Sequence, residues 1–548
     1  VPVIVEQIRR NLFQDLQVFS LASLLLFGLL AALIYRNLGI VAGAMTSCIT
    51  ACAATLLITQ AMGIQIGLLT ANLITIVFVL TLSHIVFLTA NWRRAGGLEL
   101  APDERAARTV SLTLTASFWS MATTLLGFLS LLLADAKPLR ELGIAGAIGA
   151  ATALAVAYTI YPAFLGRGAE VAGVAKWQPP VLFRLSDRPL RVLFVIAVVV
   201  VGLGVGVPRL DTDPGLLTYF DEGGDLRTGL ERIDRDGGSS TLNIAIRDAS
   251  GGTLNDDEVY DRMWVFQDAL EADSVVGAVV SPAVLLAEAK TFPFAGFLSL
   301  SQLFDFGERT PPFDEIVPQY VTPERDEARF FLRMKESVEE PSRQAVMDRI
   351  EGYAVEAGLD PVQMGGLYDL QAQLGRLITS SLQIGLGGLL FLFLGVAMVV
   401  SRSAKVTTMM VACLAGVPLV VLGTFGWLGV SVDIITSPAA NVALAMGVDS
   451  MIHLVVRVRH LRAGGLAEME SWSQARTQIM GPVLAATLLI CVGFGIFGLS
   501  TFPPTGRFGL AVILGTMTAA TMALVTLPLA VQAWQKRPPP SPEVAASA

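Results

Sequence analysis

The sequence predicts a polytopic α-helical membrane protein: parallel five-span repeats plus an extracytoplasmic α/β domain of βαβ type. Three observations carry that reading. The 548 residues are 53% hydrophobic and only 15% charged, too apolar for a soluble chain of this length. Eleven apolar runs lie near the about 20 residues that cross a bilayer core: 16–35, 40–61, 68–90, 113–134, 142–165, 192–207, 383–401, 406–428, 434–456, 482–501 and 508–531. Finally, the first five runs recur, span for span, in the last five.

Taken in order, residues 1–15 (VPVIVEQIRRNLFQD) read as the tail of a first extracytoplasmic domain entering a helix, which suggests a preceding segment. Residues 16–165 form the first five-span repeat, 166–191 a basic linker, 192–207 a single span, 208–380 the α/β domain, 381–531 the second five-span repeat and 532–548 a Pro-rich disordered tail. Arginine and lysine mark the cytoplasmic side of short loops. They cluster at Arg36, at Arg93, Arg94, Arg105 and Arg108, through the linker, at Arg402 and Lys405, at Arg457, Arg459 and Arg462, and at Lys536 and Arg537. Those are alternate loops, so the α/β domain falls outside and the C-terminus inside, as expected in a bacterial inner (plasma) membrane.

Charge divides the same way. Segment 209–378 holds 32 of the 46 acidic and 15 of the 38 basic residues, leaving 14 acidic and 23 basic elsewhere, a net of +9. No basic patch of the kind that binds nucleic acid stands out. Within the acidic segment, STLNIAIRD (240–248), VVGAVV (275–280) and ARFFLRMK (328–335) alternate as strands do, and 255–272 and 341–357 read as amphipathic helices. Between the halves, TFPFAGFLSLSQLFDF (291–306) contributes Phe292, Phe294, Phe297, Phe304 and Phe306. It is either a packed amphipathic insert or a hydrophobic substrate surface.

The internal repeat is visible residue by residue. LTANLITIVFVLTLSHIVFL (69–88) resembles SPAANVALAMGVDSMIHLVV (437–456), with Asn72 against Asn441 and His84 against His453, an offset of 369. Downstream, Gly127, Phe128, Pro138, Gly143 and Pro162 match Gly493, Phe494, Pro504, Gly509 and Pro528 at an offset of 366; upstream, Arg36 matches Arg402. An even number of spans separates the copies, so both lie the same way up, the parallel-repeat arrangement of transporters whose sites sit at the repeat interface. Gly143, Gly146, Gly149, Gly509 and Gly515 provide the small faces that close helix packing requires.

Across all eleven runs the only ionisable Asp, Glu, Lys, Arg or His residues are His84, Asp449 and His453. A charge at mid-membrane costs about 2.5–3.5 kcal/mol on insertion scales, and such residues mark proton or ion paths. Asp449 and His453 stand one helical turn apart, on one face, where an imidazole can pass a proton to a carboxylate. His84 stands across the repeat interface, and Ser450, Thr81, Ser83, Thr123 and Thr487 are candidates to complete a polar network. A buried structural Asp–His pair uses the same residues, as does a histidine wetted at the membrane surface. Three such groups, divided between two spans, are a short ligand set for a metal. Cys48, Cys52, Cys413 and Cys491 lie in apolar runs and read as small buried hydrophobes. No GxxxxGK[ST] phosphate loop or nucleophile constellation occurs. The expectation is a secondary-active transporter, not an enzyme, without a cofactor.

With five-span repeats, an outer α/β domain and GVDSMIH (447–453) in hand, the chain resembles the resistance-nodulation-division superfamily. Within it, the chain is most similar to the MMPL or Patched-like hydrophobe exporters, whose post-helix signature resembles RLDTDPGLLTYF (209–220). The resemblance implies twelve spans in a complete protein, a porter-like outer domain, and proton-driven movement of lipids or other amphiphiles out of the inner membrane. It carries the family's proton-relay acid onto Asp449. Where many members have a second acid, this chain has Leu80. The implied partners are membrane lipids or hydrophobic small molecules, protons, and a second copy or a periplasmic protein. A sterol-sensing, Patched-like regulatory protein and a protein-export accessory of the same superfamily are the alternative readings.

Overall fold

The computed structural model describes residues 2–64, 67, 70–95, 101–134, 136–165, 188–291, 297–311, 313–338, 340 and 342–535. Two compact units emerge: Val1–Asp211 with Leu377–Ala548, and Thr212–Arg376.

Among the described residues, eleven helices are long and apolar enough to cross a membrane, and all but the first ten residues of the seventh belong to the first unit. They are built from α1 (Pro2–Tyr35), α2 (Leu38–Ala61), α3 (Leu73–Arg94), α4 (Pro102–Leu129), α5 (Lys137–Thr159) with α6 (Tyr161–Leu165), and α7 (Pro189–Gly204). The second half of the unit uses α14 (Leu367–Ser401), α15 (Ala404–Leu428), α16 (Ala439–Ala463), α17 (Glu468–Gly495), and α18 (Pro503–Thr521) with α19 (Leu527–Gln535). Of these, α3 and α16 are the innermost, 89% buried over their apolar windows against 6–56% for the rest. The two helices that carry the span histidines and Asp449 therefore face protein.

The repeat extends to backbone detail. The α1–α2 and α14–α15 corners each turn on an arginine with positive φ, Arg36 at 50° and Arg402 at 52°. Helices α4 and α17 each end in a 3-10 turn, Ser130–Leu133 and Ile496–Leu499. A Cβ on Gly143 would meet the Phe128 carbonyl oxygen at 2.7 Å, and one on Gly509 the Phe494 carbonyl oxygen at 2.5 Å. Gly127 lets α4 close on Ala445 of α16, and Gly493 lets α17 close on Val79 of α3. Each of these pairs differs by 366, and so do the starts of α3 and α16. One offset therefore relates the two halves throughout. The 369 read from the asparagines and histidines of the central span is a slip of three residues, most of a helical turn.

In the second unit, α8 (Asp225–Gly237) precedes β1 (Ser240–Asp248), α9 (Asp257–Ala272) and β2 (Val276–Val280). Helices α10 (Pro282–Lys290), α11 (Leu300–Arg309) and α12 (Phe313–Tyr320) follow, then β3 (Glu327–Met334), α13 (Arg343–Glu356) and β4 (Leu359–Gly365). The sheet order is β2-β3-β1-β4, every neighbouring pair antiparallel. Thus β1 and β2 run parallel with β3 inserted between them, and β3 and β4 likewise around β1. This is the split βαβ arrangement. Its core takes the inward residues of β1 and β3 (Leu242, Ile244, Ile246, Phe330, Leu332) against Met263 and Phe266 of α9 and Val346 and Ile350 of α13. The unmatched strand β4, LDPVQMG, lacks clean alternation and contains a proline, which hides it from a period-2 reading.

The post-helix segment is tied into this unit. Arg343, buried at the start of α13, bonds the carboxylates of Asp213 and Glu336 and donates to the Asp213 carbonyl at 2.7 Å; its backbone N–H donates to Asp213 Oδ2 at 2.9 Å. Burial pushes the Glu336 carboxyl above its ordinary range, opposed by Arg343.

Candidate functional site

The site forms where α3 and α16 meet. Ser83 Oγ donates to Asp449 Oδ2 at 2.8 Å. His453 Nε2 stands 3.4 Å from Asp449 Oδ1, too far for a good hydrogen bond but close enough to become one with a small rotation. The His453 ring stacks on Phe87, centroids 3.6 Å apart and planes 4° off parallel. His84 is buried, its ring edge-on to Tyr158 at 6.5 Å.

The single offset explains this layout. Ser83 is the counterpart of Asp449 and Phe87 the counterpart of His453. Residues related by the pseudo-two-fold axis thus touch each other on it. Leu80 is the counterpart of Met446, not of Asp449. Both line a cavity of about 10 Å³ with Ser83, His84, Ser120, Met121, Thr124, Ala150, Asp449 and Ile490, room for about one water.

Among the described residues, Asp449 Oδ1, His453 Nε2, His84 Nδ1, Tyr158 Oη and Ser117 Oγ are buried without a hydrogen-bond partner. Buried polar atoms are nearly always paired, so a cluster of exceptions needs a reason. A carboxylate and two imidazoles in such a state can exchange a proton by small movements.

Of the residues expected to support the acid, only Ser83 bonds it. Thr81 donates to the Val77 carbonyl at 2.7 Å and Thr123 to the Ser120 carbonyl at 2.7 Å. Ser450 and Thr487 are half-buried and do not line the cavity. Ser120 and Thr124 on α4 take the place assigned to Thr123 and Thr487; their signal was the i, i+4 pair of hydroxyls on the face of α4 that carries Gly127. Asp433, just outside the run 434–456, is also buried. It accepts from the backbone N–H groups of Ile435 and Thr436, each at 2.9 Å, and lies 3.4 Å from Arg507. Burial pushes its carboxyl up, and these contacts cap the approach to α16.

Beyond His453 the same axis opens into a vestibule of about 430 Å³ between α3, α4, α16 and α17. His453 and Phe87 form one end of its lining; Arg94, Arg457, Arg459 and His460 supply its charge. His453 therefore stands between the vestibule and the acid. Cys48 and Cys52 are buried against the carbonyls of Phe78 and Ile74. Among the described residues no group of three or more His, Cys, Asp or Glu is placed to hold a metal.

In the second unit, Phe304 and Phe306 line an apolar cavity of about 540 Å³ between α10, α11 and α12, with Leu285, Leu303, Phe313 and Tyr320 among the other walls. Phe304 is buried, Phe306 is more than half exposed and Phe297 points to solvent. Phe292 and Phe294 lie outside the described residues.

A search of curated proteins by sequence finds no match. Among solved structures, the chain is similar to SecDF, a translocon-associated membrane protein from Thermus thermophilus. The TM-score is 0.61 at 13% identity, over 97% of this chain and 63% of that one. A SecDF structure in a super-membrane-facing form gives 0.60 at 13% identity, over 98% and 64%. These are likenesses of fold, and the chain spans under two thirds of either relative. In sequence, the MMPL family profile matches residues 1–202 and 230–541. Apart from residues 203–229, the spans, the repeat and the second unit fall within that match, and the chain belongs to the MMPL family.

Proposed function

We propose that this chain is a proton-coupled exporter of lipids or other hydrophobic or amphiphilic molecules from the inner membrane. The observation that carries the reading is the under-bonded cluster of Asp449, His453 and His84 on the repeat axis. Protons moving inward down their gradient load Asp449 and leave past His453 through the vestibule at the arginine-rich, cytoplasmic end. Ser83 holds the carboxylate from the opposite repeat, so a change in its protonation acts on both halves at once. The 540 Å³ cavity is of the size and polarity that suits an apolar ligand and supports an acyl-chain cargo. The Phe-rich segment contributes through Phe304 and Phe306.

In proteoliposomes with a trapped pH dye, the wild-type chain should take up protons under an imposed gradient, faster when cargo lipid is present. Asp449→Asn should abolish that uptake while inserting and melting like the wild type. Undiminished uptake by the variant sinks the reading.

The likeness to SecDF favours one second reading, an accessory of protein export that uses the same membrane core. Cargo decides between them. Lipid copurifying with the chain, identified by mass spectrometry, supports export of lipids; cross-linking of unfolded polypeptide to the α10–α12 cavity supports the accessory.

A further inference from the structure

The vestibule has more positive charge than a proton path needs. Its lining repeats across the axis: Phe87 with His453, Ala90 with Val456, Asn91 with Arg457, Arg94 with His460, Thr113 with Ile479 and Ala116 with Pro482, each pair 366 apart. The cavity is thus centred on the pseudo-two-fold axis, and each repeat contributes a guanidinium to its lining, Arg94 from α3 and Arg457 from α16. Arg459 and His460 add to the rim.

Among the described residues, no carboxylate lines the cavity. Among the described residues, the arginines bond only neutral partners: Arg94 Nη1 to Asn91 Oδ1 at 3.1 Å, Arg457 Nε to Gln478 Oε1 at 2.6 Å, and Arg459 Nη1 to the Val400 carbonyl at 2.8 Å. Asn91 is itself fixed by donating to Thr113 Oγ1 at 2.8 Å, which sets the position of Arg94. Both Arg94 and Arg457 are half-buried, so water screens their mutual repulsion only in part. The remaining N–H donors of the forks are spare for an oxyanion.

We propose that the vestibule is a binding site for a phosphate group, held between Arg94 and Arg457 with Arg459 and His460 at its mouth. Guanidinium forks from two directions suit a tetrahedral oxyanion, which accepts paired N–H bonds on more than one face. Basic pockets between membrane helices on the cytoplasmic side take phospholipid headgroups, and a volume of 430 Å³ admits one. The same chemistry admits free phosphate. The proposal stands on the geometry alone and does not depend on proton transport.

The test uses the full chain in nanodiscs of phosphatidylcholine. In one arm the bilayer is doped with phosphatidic acid and the retained lipid is counted by native mass spectrometry. In the other, sodium phosphate is titrated calorimetrically without the dopant. Wild type should bind in at least one arm. Binding with dopant alone identifies a lipid headgroup, and binding with the salt alone identifies free phosphate. Arg94→Gln and Arg457→Gln should each weaken it at least about tenfold, the worth of one charge-assisted bond. Arg209→Gln, outside the vestibule, should bind as wild type does. As a check independent of variant folding, phenylglyoxal labelling of wild-type Arg94 and Arg457 should fall when the ligand is present. No binding in either arm, equal binding by both glutamine variants, or labelling unaffected by ligand overturns the proposal.

Discussion

Gly127→Ala tests whether the α4–α16 approach sets the geometry around Asp449. The added Cβ would lie 2.4 Å from the Ala445 Cβ, where carbon atoms prefer about 3.5–4.0 Å. Helices α4 and α16 must then part by about 1.1–1.6 Å, since the obstacle is a Cβ and no flexible side-chain end can yield. Overpacking of this kind costs about 1–3 kcal/mol, offset by about 0.5–1 kcal/mol for replacing glycine inside a helix. The expected net loss is about 1–2 kcal/mol, seen as earlier thermal unfolding in detergent. Thr124 and Ser120 lie about one and two turns from Gly127 and move with it. A displacement near 1 Å can cost about a hundredfold in rate, so proton uptake in proteoliposomes should fall further than stability suggests. Gly481→Ala is the matched control, because its Cβ meets nothing within 4 Å; it should unfold no earlier than wild type. If Gly127→Ala unfolds as late as Gly481→Ala and takes up protons at the wild-type rate, the close approach has no role.

Two further outcomes concern the second unit. Arg343→Met leaves Glu336, whose side chain is fully buried, without its cation. That should cost about 3–5 kcal/mol and lower hydrogen-exchange protection in β1 and α13 about a hundredfold or more, and adding Glu336→Leu should restore part of it. The unit should also loosen in acid. Burial alone would raise the Asp234 and Asp248 carboxyls. Hydrogen bonds to Asp234 from Ser239, Glu336 N–H and Ser337 N–H, and to Asp248 from Ser250, Gly252 N–H and Arg262, hold both below the ordinary value instead. A depressed carboxyl contributes stability above its unfolded pKa of about 3.9 and loses it as pH falls through the folded value. Glu336 acts in the opposite sense, since its raised carboxyl favours the fold in acid and loses that contribution as pH rises through the raised value. Pepsin cleavage within 240–365 should therefore rise as pH falls below about 4, and Asp248→Asn should flatten that rise.

The sequence made the spans legible because membrane insertion demands long uncharged runs, and the repeat legible because glycines and prolines at helix corners resist change. It also singled out Asp449, His453 and His84, since charges stand out in apolar helices. It did not reveal the register of α3 against α16. In that span the recurrent asparagines and histidines suggested 369, and nothing in a uniformly apolar helix opposes a slip of three. That slip rotates every side chain by about 60°, enough to pair Asp449 with Leu80 rather than Ser83. The sequence points to Thr123 on α4, whereas Ser120 and Thr124 line the cavity beside the acid: which hydroxyl faces it depends on the packing of α4, which periodicity cannot show. In the second unit, β4 escaped because edge strands tolerate proline.

The contact between Ser83 and Asp449 has a consequence for how two halves of one chain diverge. At a two-fold axis a residue faces its own copy. An aspartate at both positions would press two carboxylates together, and they could not both ionise. Identical halves could hold only one charge at this point, with the second acid kept protonated as its donor; a serine in one copy supplies that donor without a titrating group. The serine is the partner that the axis allows, so a lone acid here is the chemically complete form of the site. The same geometry fixes its economy. On the proposed proton-coupled reading, one carboxyl on the axis carries one proton per turnover, worth about 2.3 kcal/mol per 100 mV, which sustains a cargo gradient of roughly fiftyfold per 100 mV.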